Sequence, residues 1–264
     1  MIPRSDITAW RSESPWVSDA QVEQDLIISR ALVELFSNNR LTDGLAFRGG
    51  TALHKLFLQP AARYSEDIDL VQISGGPIGT ILDNIHMALD PWLGTSTNKR
   101  SESGVTLAYK VDSEIPPIIP LRLKIEINTR EHFMVFGLMK KDFKVAARWF
   151  KGSCKVTTYE LSELLGTKLR ALYQRRKGRD LFDLWLGITF GHADPKKIAD
   201  SFEKYMLNDE IRVSAKEFQK NLDLKMVHKG FLSDIMPLIR PEIEYDAKAA
   251  YTLVSEQLIP LIAG

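Results

Sequence analysis

The chain has 264 residues, of which 44% are hydrophobic and 26% are charged, as is usual for a soluble globular protein of one large domain or two smaller ones. No apolar run could cross a bilayer, the first residues lack a signal-peptide core, and the single Cys154 excludes an internal disulfide. We therefore expect a cytoplasmic protein with no membrane partner.

The net charge of +1 conceals an uneven distribution. Residues 121–180 hold fifteen Lys and Arg against six Asp and Glu, whereas the rest of the chain holds 20 against 28. A local excess of +9 favours a surface that binds a polyanion, and a solvated charged face is the alternative interpretation.

Hydrophobic periodicity predicts mixed helices and strands in the first part of the chain. Ser18, with Gln21 three residues later, predicts an N-cap for the first long helix. The predicted elements in chain order are a helix at 18–37, a strand at 44–49, a helix at 51–57, a strand at 67–73, a helix at 78–93, strands at 104–112 and 120–130, and one or two strands within 143–158.

From residue 159 onward the pattern is helical. The first of these helices is predicted to end at Lys177–Gly178, where a basic last turn precedes a glycine cap. The fold class is therefore α+β, with an α/β domain at 1–158 and a helical domain, expected to be a bundle, at 159–264.

A glycine turn, Gly49-Gly50-Thr51, lies between a predicted strand and a predicted helix. Glycine permits a sharp turn and close approach of the backbone to a ligand, and the helix N-terminus presents free N–H groups. Such a turn can bind phosphate, although by itself it is more often only a tight turn.

Two carboxylates follow on the next strand, in the sequence "DIDL". Residues i and i+2 of a strand point to the same side, so Asp67 and Asp69 face one place while Ile68 faces the core. Adjacent carboxylates repel one another unless a cation is present, and Mg²⁺ is the usual cation in phosphoryl chemistry. A solvated strand face is the alternative for an isolated Asp-x-Asp.

A third carboxylate, Glu126, lies on the later strand "LRLKIEIN". Its apolar neighbours alternate with it, so Glu126 shares a face with Lys124 and Asn128. Together Asp67, Asp69 and Glu126 form a candidate metal site for an in-line displacement at phosphorus.

This combination resembles the polymerase-β-type nucleotidyltransferases. It is most similar to the AbiEii-type enzymes, toxins of abortive-infection and type IV toxin–antitoxin systems that include the MenT-like enzymes. The segment "ELLGTKLRALYQRRKGRDLFDLW" resembles the helical signature of that family; its matching residues are Lys168, Arg175, Arg179, Asp180 and Asp183. Gln24 stands where the family often has Lys.

The resemblance implies a polymerase-β-type core, a mixed sheet flanked by helices. It also implies transfer of an NMP from an NTP to an acceptor hydroxyl with release of pyrophosphate, a tRNA acceptor and a cognate antitoxin. Mg²⁺ is the expected cofactor, with Mn²⁺ as an alternative. Asp67, Asp69 and Glu126 would be metal ligands and catalytic residues, joined in catalysis by Lys168 and Asp180.

The expected nucleotide-binding residues surround the glycine turn; they are Arg48, Gly49, Gly50, Thr51, Ser65 and Lys168. Arg48 and Arg63 flank the turn and could hold phosphates, or be surface charges. For Lys168, Asp180 and Asp183 the alternative is a buried salt-bridge network between helices.

Two other functions remain open at this point. A metal-dependent glycosyltransferase also uses Asp-x-Asp, although the preceding glycine turn and Glu126 argue against it. A nucleotide- or partner-binding module with the same fold would carry out no transfer, and the intact set of polar residues argues against that.

Overall fold

The computed structural model describes residues 2–263, which form two compact units. The first unit comprises the chain up to Met134 together with Leu138–Tyr159. The second comprises Val135–Gly137 and the described chain from Glu160 onward.

A seven-stranded mixed sheet forms the centre of the first unit. Its strands are β1 (Leu45–Arg48), β2 (Asp67–Gln72), β3 (Thr97–Ser101), β4 (Gly104–Asp112), β5 (Pro120–Asn128), β6 (Leu138–Ala146) and β7 (Lys151–Tyr159). They lie in the order β3-β4-β5-β2-β1-β7-β6, in which β2 pairs parallel with β5 and β1 pairs parallel with β7. The remaining neighbours are antiparallel.

The α-helices of the first unit are α1 (Arg4–Trp10), α2 (Asp19–Phe36), α3 (Asn39–Gly44), α4 (Gly49–Ala52) and α5 (Gly79–Leu93), and α4 continues directly into a π-helix at Leu53–Phe57. The capping box predicted for α2 is present, because the side chains of Ser18 and Gln21 each accept a hydrogen bond from the other residue's backbone N–H. Gln24 is buried and donates through Nε2 to the Arg122 carbonyl at 3.0 Å, so this side chain ties α2 to β5.

Strand alternation decides which side chains of β2 and β5 enter the core. Ile68, Leu70, Ile125 and Ile127 are almost fully buried, and the polar residues between them lie on the opposite face. That opposite face therefore displays a row of charged and polar side chains.

The sequence located most of these elements to within a few residues, and three were missed. The missed elements are α1, α3 and the edge strand β3, whose sequence "TNKRS" is exposed at every position. An exposed polar strand has no apolar alternation, so the pattern that identifies the other strands is absent.

The second unit is helical. Its helices are α6 (Leu161–Gln174), α7 (Gly178–Thr189), α8 (Pro195–Asn208), α9 (Ala215–Met226), α10 (Lys229–Ser233) and α11 (Ala247–Gln257). Glu163 of α6 is fully buried, and its carboxylate accepts hydrogen bonds from the Val135 and Phe136 N–H groups and from the Tyr205 hydroxyl. The mixed sheet followed by helices confirms the predicted α+β fold class.

The predicted helix end at Lys177–Gly178 is wrong. α6 ends at Gln174, and Gly178 is the first residue of α7. A Cβ atom at Gly178 would overlap the Phe231 carbonyl oxygen, so glycine is required there for close packing rather than as a helix cap.

None of the helices in residues 2–263 combines the length and the apolar character needed to cross a membrane.

Candidate active site

Three carboxylates lie on adjacent strands of the first unit. Asp67 and Asp69 belong to β2, and Asp69 is directly opposite Glu126 of β5 in the parallel register. Asp67 is opposite Lys124. The structure therefore brings together on one sheet face the carboxylates that the sequence predicted to share a site.

The electrostatics at Asp67 are unfavourable for its own negative charge. Burial, followed by the charge of Asp69, raises the pKa of the Asp67 carboxyl to about 6, and Lys124 only partly offsets this increase. A bound cation would remove this penalty.

The glycine turn packs directly against the carboxylate pair. Gly49 begins α4 with φ of 80°, and a Cβ atom there would overlap Asp69 Oδ2. Only glycine satisfies both conditions. The turn and Asp69 are therefore immediate neighbours, as a site for both phosphate and metal requires.

The remaining turn residues, Gly50 and Thr51, pack against Arg63 and Ser65 inside the protein. Thr51 is buried, its hydroxyl lies 2.9 Å from Ser65 Oγ, and it donates to the Asp67 carbonyl at 2.5 Å. A Cβ atom at Gly50 would overlap the guanidinium of Arg63. These contacts attach the turn to the start of β2, so the Thr51 and Ser65 hydroxyls position the site from within the protein.

The two arginines beside the turn differ. Arg63 is 2% exposed and donates to the Tyr64 carbonyl, so its interpretation as a surface charge is wrong. Arg48 lies in register with Asp69 and forms an ion pair with Glu131. It also lines a cleft of about 220 Å³ beside Asp69 and Glu126.

A second, larger cleft of about 480 Å³ lies along the open face of β3, β4 and β5. Lys99, Arg122 and Lys124 contribute positive charge to it, and Glu126 is shared with the first cleft. Thr106 is also common to both clefts. The carboxylates thus stand at one end of a polar, basic surface.

The carboxylates fit a metal site that the substrate completes. Within residues 2–263, no three His, Cys, Asp or Glu side chains converge to form a metal-binding group by themselves. The expected third ligand, Glu126, instead contacts Lys124 Nζ through Oε1. Mg²⁺ commonly takes one or two carboxylates and fills its remaining positions with water and substrate phosphate, which suits Asp67 and Asp69.

In the second unit, the helical signature residues form a buried ionic network. Lys168 Nζ lies 3.3 Å from Asp180 and 3.0 Å from Asp183, and both carboxylates are fully buried. Arg175 makes two hydrogen bonds to Asp180, at 2.7 and 2.8 Å. Arg179 pairs with Asp234. These contacts form a buried salt-bridge network between helices, which was the alternative interpretation of Lys168, Asp180 and Asp183.

Comparison with protein families adds independent support. The family model described as nucleotidyl transferase AbiEii toxin of type IV toxin–antitoxin systems matches residues 30–252. The chain belongs to this family. As an AbiEii family member it is a nucleotidyltransferase, and toxin function in a type IV system and use of an NTP follow from the same assignment.

Solved structures support the fold. The nucleotidyltransferase toxin MenT4 of Mycobacterium tuberculosis superposes with a TM-score of 0.70 at 15% identity, covering 100% of this chain and 91% of that one. An antigenic nucleotidyltransferase-like protein from Paracoccidioides brasiliensis gives a TM-score of only 0.38 at 17% identity, covering 80% of this chain and 93% of that one. A search of curated proteins finds no match.

Sequence reasoning missed three features of this AbiEii-type site. It assigned no role to Lys124 or to Glu131, the partner of Arg48, and it did not find β3 with Lys99. Strand alternation placed Lys124 on the face of Glu126 but could not show that the two side chains are in contact. Nothing in the sequence pairs Arg48 with Glu131, since 83 residues separate them.

Proposed function

We propose that this AbiEii family member transfers an NMP from an NTP to a hydroxyl of an RNA acceptor, tRNA being the expected one, in a Mg²⁺-dependent reaction. The observation that carries the proposal is the placement of Gly49 against Asp69, with Glu126 directly opposite Asp69 on the next strand.

Each group has a chemical task. The N–H groups at the start of α4 bind phosphate oxygens, assisted by the charge of Arg48. Mg²⁺, when bound by Asp67 and Asp69 with Glu126, would stabilise negative charge on the phosphate oxygens. The acceptor oxygen forms a new bond to the α-phosphorus, the bond from that phosphorus to the β-phosphate oxygen breaks, and pyrophosphate leaves while the hydroxyl proton passes to solvent.

The open face of β3, β4 and β5 supports a polyanionic acceptor. Lys99, Arg122 and Lys124 line a cleft that begins at Glu126, so an acceptor held there by its phosphates would bring a hydroxyl toward the carboxylates. Because phosphate contacts release counterions, RNA binding should weaken steeply as the salt concentration increases.

Two predicted roles in the second unit remain separate from this mechanism. Phosphate binding by Lys168 stays a prediction. The catalytic role predicted for Asp180 forms no part of the proposed mechanism, because that carboxylate is fully buried and already pairs with Lys168 and Arg175.

The family assignment favours nucleotidyl transfer over a glycosyltransferase or a binding module without activity. A cytoplasmic location, where NTPs and tRNA are available, completes the proposal, together with an antitoxin partner for the toxin.

The test is incubation of the protein with Mg²⁺, total tRNA and each α-³²P-labelled NTP in turn, followed by denaturing gels. We expect label on tRNA, loss of label in EDTA, and loss of label in Asp69→Ala. The matched control is Asp112→Ala, which removes an exposed Asp from the end of β4 and should leave labelling unchanged.

Absence of label on tRNA but presence of label on protein would overturn the RNA acceptor and retain the transfer. Absence of label on every acceptor with every NTP would overturn the proposed reaction. Equal labelling by Asp69→Ala would show that the site is elsewhere.

A further inference from the structure

Lys124 occupies a distinctive position among the carboxylates. Its ammonium group contacts Glu126 Oε1, and in the sheet register it is directly opposite Asp67. It therefore supplies positive charge on the same strand face as the three negative groups Asp67, Asp69 and Glu126.

The Lys124–Glu126 pair is open to exchange. The Lys124 side chain is 34% exposed and that of Glu126 is 43% exposed, so water can replace either partner. Ion pairs that are exposed to this degree are weak. A divalent cation that takes a Glu126 oxygen would compete with the ammonium for the same carboxylate.

Lys124 also has a second possible partner. The cleft along β3, β4 and β5 is lined by both Lys124 and Glu126, and its other positive groups are Lys99 and Arg122. A lysine released from Glu126 would remain in this cleft on a flexible four-carbon stem, where a phosphate is its natural partner.

We propose that Lys124 is a positioning residue that exchanges partners: it holds Glu126 in the metal-free enzyme and is released to a substrate phosphate when a divalent cation binds the carboxylates. This inference rests on the proposed function. It makes metal binding and phosphate binding mutually dependent, because the group freed by the first event serves the second.

Metal binding by itself tests the first half of the exchange. Mn²⁺ is titrated into the purified chain without nucleotide, and free Mn²⁺ is measured by electron paramagnetic resonance. We expect Lys124→Met to bind Mn²⁺ about three- to tenfold more tightly than wild type, because the competing ammonium is gone.

The matched control is Arg122→Met, which removes the same charge from the same strand face two residues away. Screening by solvent should limit its effect to less than about twofold. An equal change in both variants, or no change in Lys124→Met, would overturn the exchange and leave only a general effect of charge.

Substrate kinetics test the second half. Lys124→Met should raise the KM for one phosphate-bearing substrate by about tenfold with a smaller change in kcat, and Lys124→Arg should restore it. A higher KM for the NTP would identify the nucleotide as the source of the phosphate, and a higher KM for tRNA would identify the acceptor. Unchanged KM values for both substrates would overturn this half.

The proposed NMP transfer and the partner exchange of Lys124 can fail independently. If wild type transfers no NMP while Lys124→Met still binds Mn²⁺ more tightly than Arg122→Met, the proposed function fails and the exchange at the carboxylates stands. If wild type is active and the two variants bind Mn²⁺ equally, the exchange fails and the function stands.

Discussion

The two units differ in how their clustered carboxylates are paired. On the sheet face of the first unit, Asp67, Asp69 and Glu126 share Lys124 as their nearby lysine, and burial raises the pKa of Asp67 to about 6. In the second unit, the fully buried Asp180 and Asp183 are matched by Lys168 and Arg175.

This difference separates a binding site from a scaffold. Burial and the crowding of carboxylates raise the pKa of Asp67 and so cost the folded protein stability, which a bound cation would restore. A buried ion pair needs no ligand to neutralise it. Removing one partner leaves the other charge unpaired in the protein interior, which is strongly destabilising. The signature residues of the second unit are therefore paired within the protein, whereas the carboxylates of the first unit are the ones that we expect to bind a cation.

The largest expected effect is on catalysis in the first unit. Asp69→Asn should lower kcat for NMP transfer by about a thousandfold, because it removes charge directly opposite Glu126 and against the glycine turn. Thermal unfolding should change little. A variant that keeps more than a tenth of wild-type activity would contradict the assignment of Asp69 to the site.

The next largest effect should be on stability in the second unit. Asp183→Asn should lower the free energy of unfolding by about 3–5 kcal/mol, because Lys168 would lose a partner in a buried setting. Urea titration measures the change. Asp209→Asn is the control, because it breaks a more exposed pair with Arg170 and should cost less than about 1 kcal/mol. An equal loss of unfolding free energy in the two variants would contradict the prediction that the buried pair contributes more than the exposed one.

A matched pair of glycine substitutions isolates the contact between the turn and Asp69. Gly49 and Gly94 have almost the same φ, 80° and 77°, but a Cβ atom at Gly94 would meet nothing within 4 Å. Backbone strain should cost both Gly→Ala variants about 1–2 kcal/mol of stability, and Gly49→Ala should lose more because its Cβ would also overlap Asp69. Only Gly49→Ala should also abolish NMP transfer, and similar activities in the two variants would count against the site.

The smallest expected effect has the opposite sign to that of Asp183→Asn. Asp67→Asn should stabilise the metal-free protein by about 1–2 kcal/mol above pH 6, because it removes a carboxylate whose ionisation is disfavoured in the fold. The folded pKa of about 6 lies above the ordinary aspartate pKa of 3.8, so between these pH values the folded state binds a proton that the unfolded state does not.

The stabilisation should therefore shrink as the pH falls from 6 and disappear below about 4, where both states are protonated. Urea titrations in EDTA across this range measure it. If Asp67→Asn is destabilising at pH 7, the ionised Asp67 carboxylate does not cost the fold stability and this prediction is wrong.

Much of the fold and the core of the candidate site could be predicted from local patterns. The period of two placed Asp67 and Asp69 on one face of β2 and Glu126 on the corresponding face of β5, and the strand register confirms that placement. The hydrophobic periodicity of α2 and its Ser18 N-cap could be predicted from the sequence in the same way. In each case the deciding interaction lies within one element.

What could not be predicted depends on partners distant in sequence. Nothing in the sequence indicates that Thr51, a predicted nucleotide-binding residue, is buried and donates to the Asp67 carbonyl at the start of β2. The basic residues before Gly178 predicted a helix cap. The true reason for glycine at this position is the Phe231 carbonyl, which belongs to another helix and cannot be located from the local sequence. The edge strand β3 is defined only by its hydrogen bonds to β4.

The sequence alone determined the α+β order of elements, the family and the residue types that phosphoryl transfer requires, because those depend on periodicity and on motif chemistry. Only the tertiary structure decided which charges are compensated. Lys124 beside Glu126, Arg48 beside Glu131, and Lys168 between two buried carboxylates are pairings made across elements. Coulomb energy depends on distance and burial, and a linear sequence specifies neither.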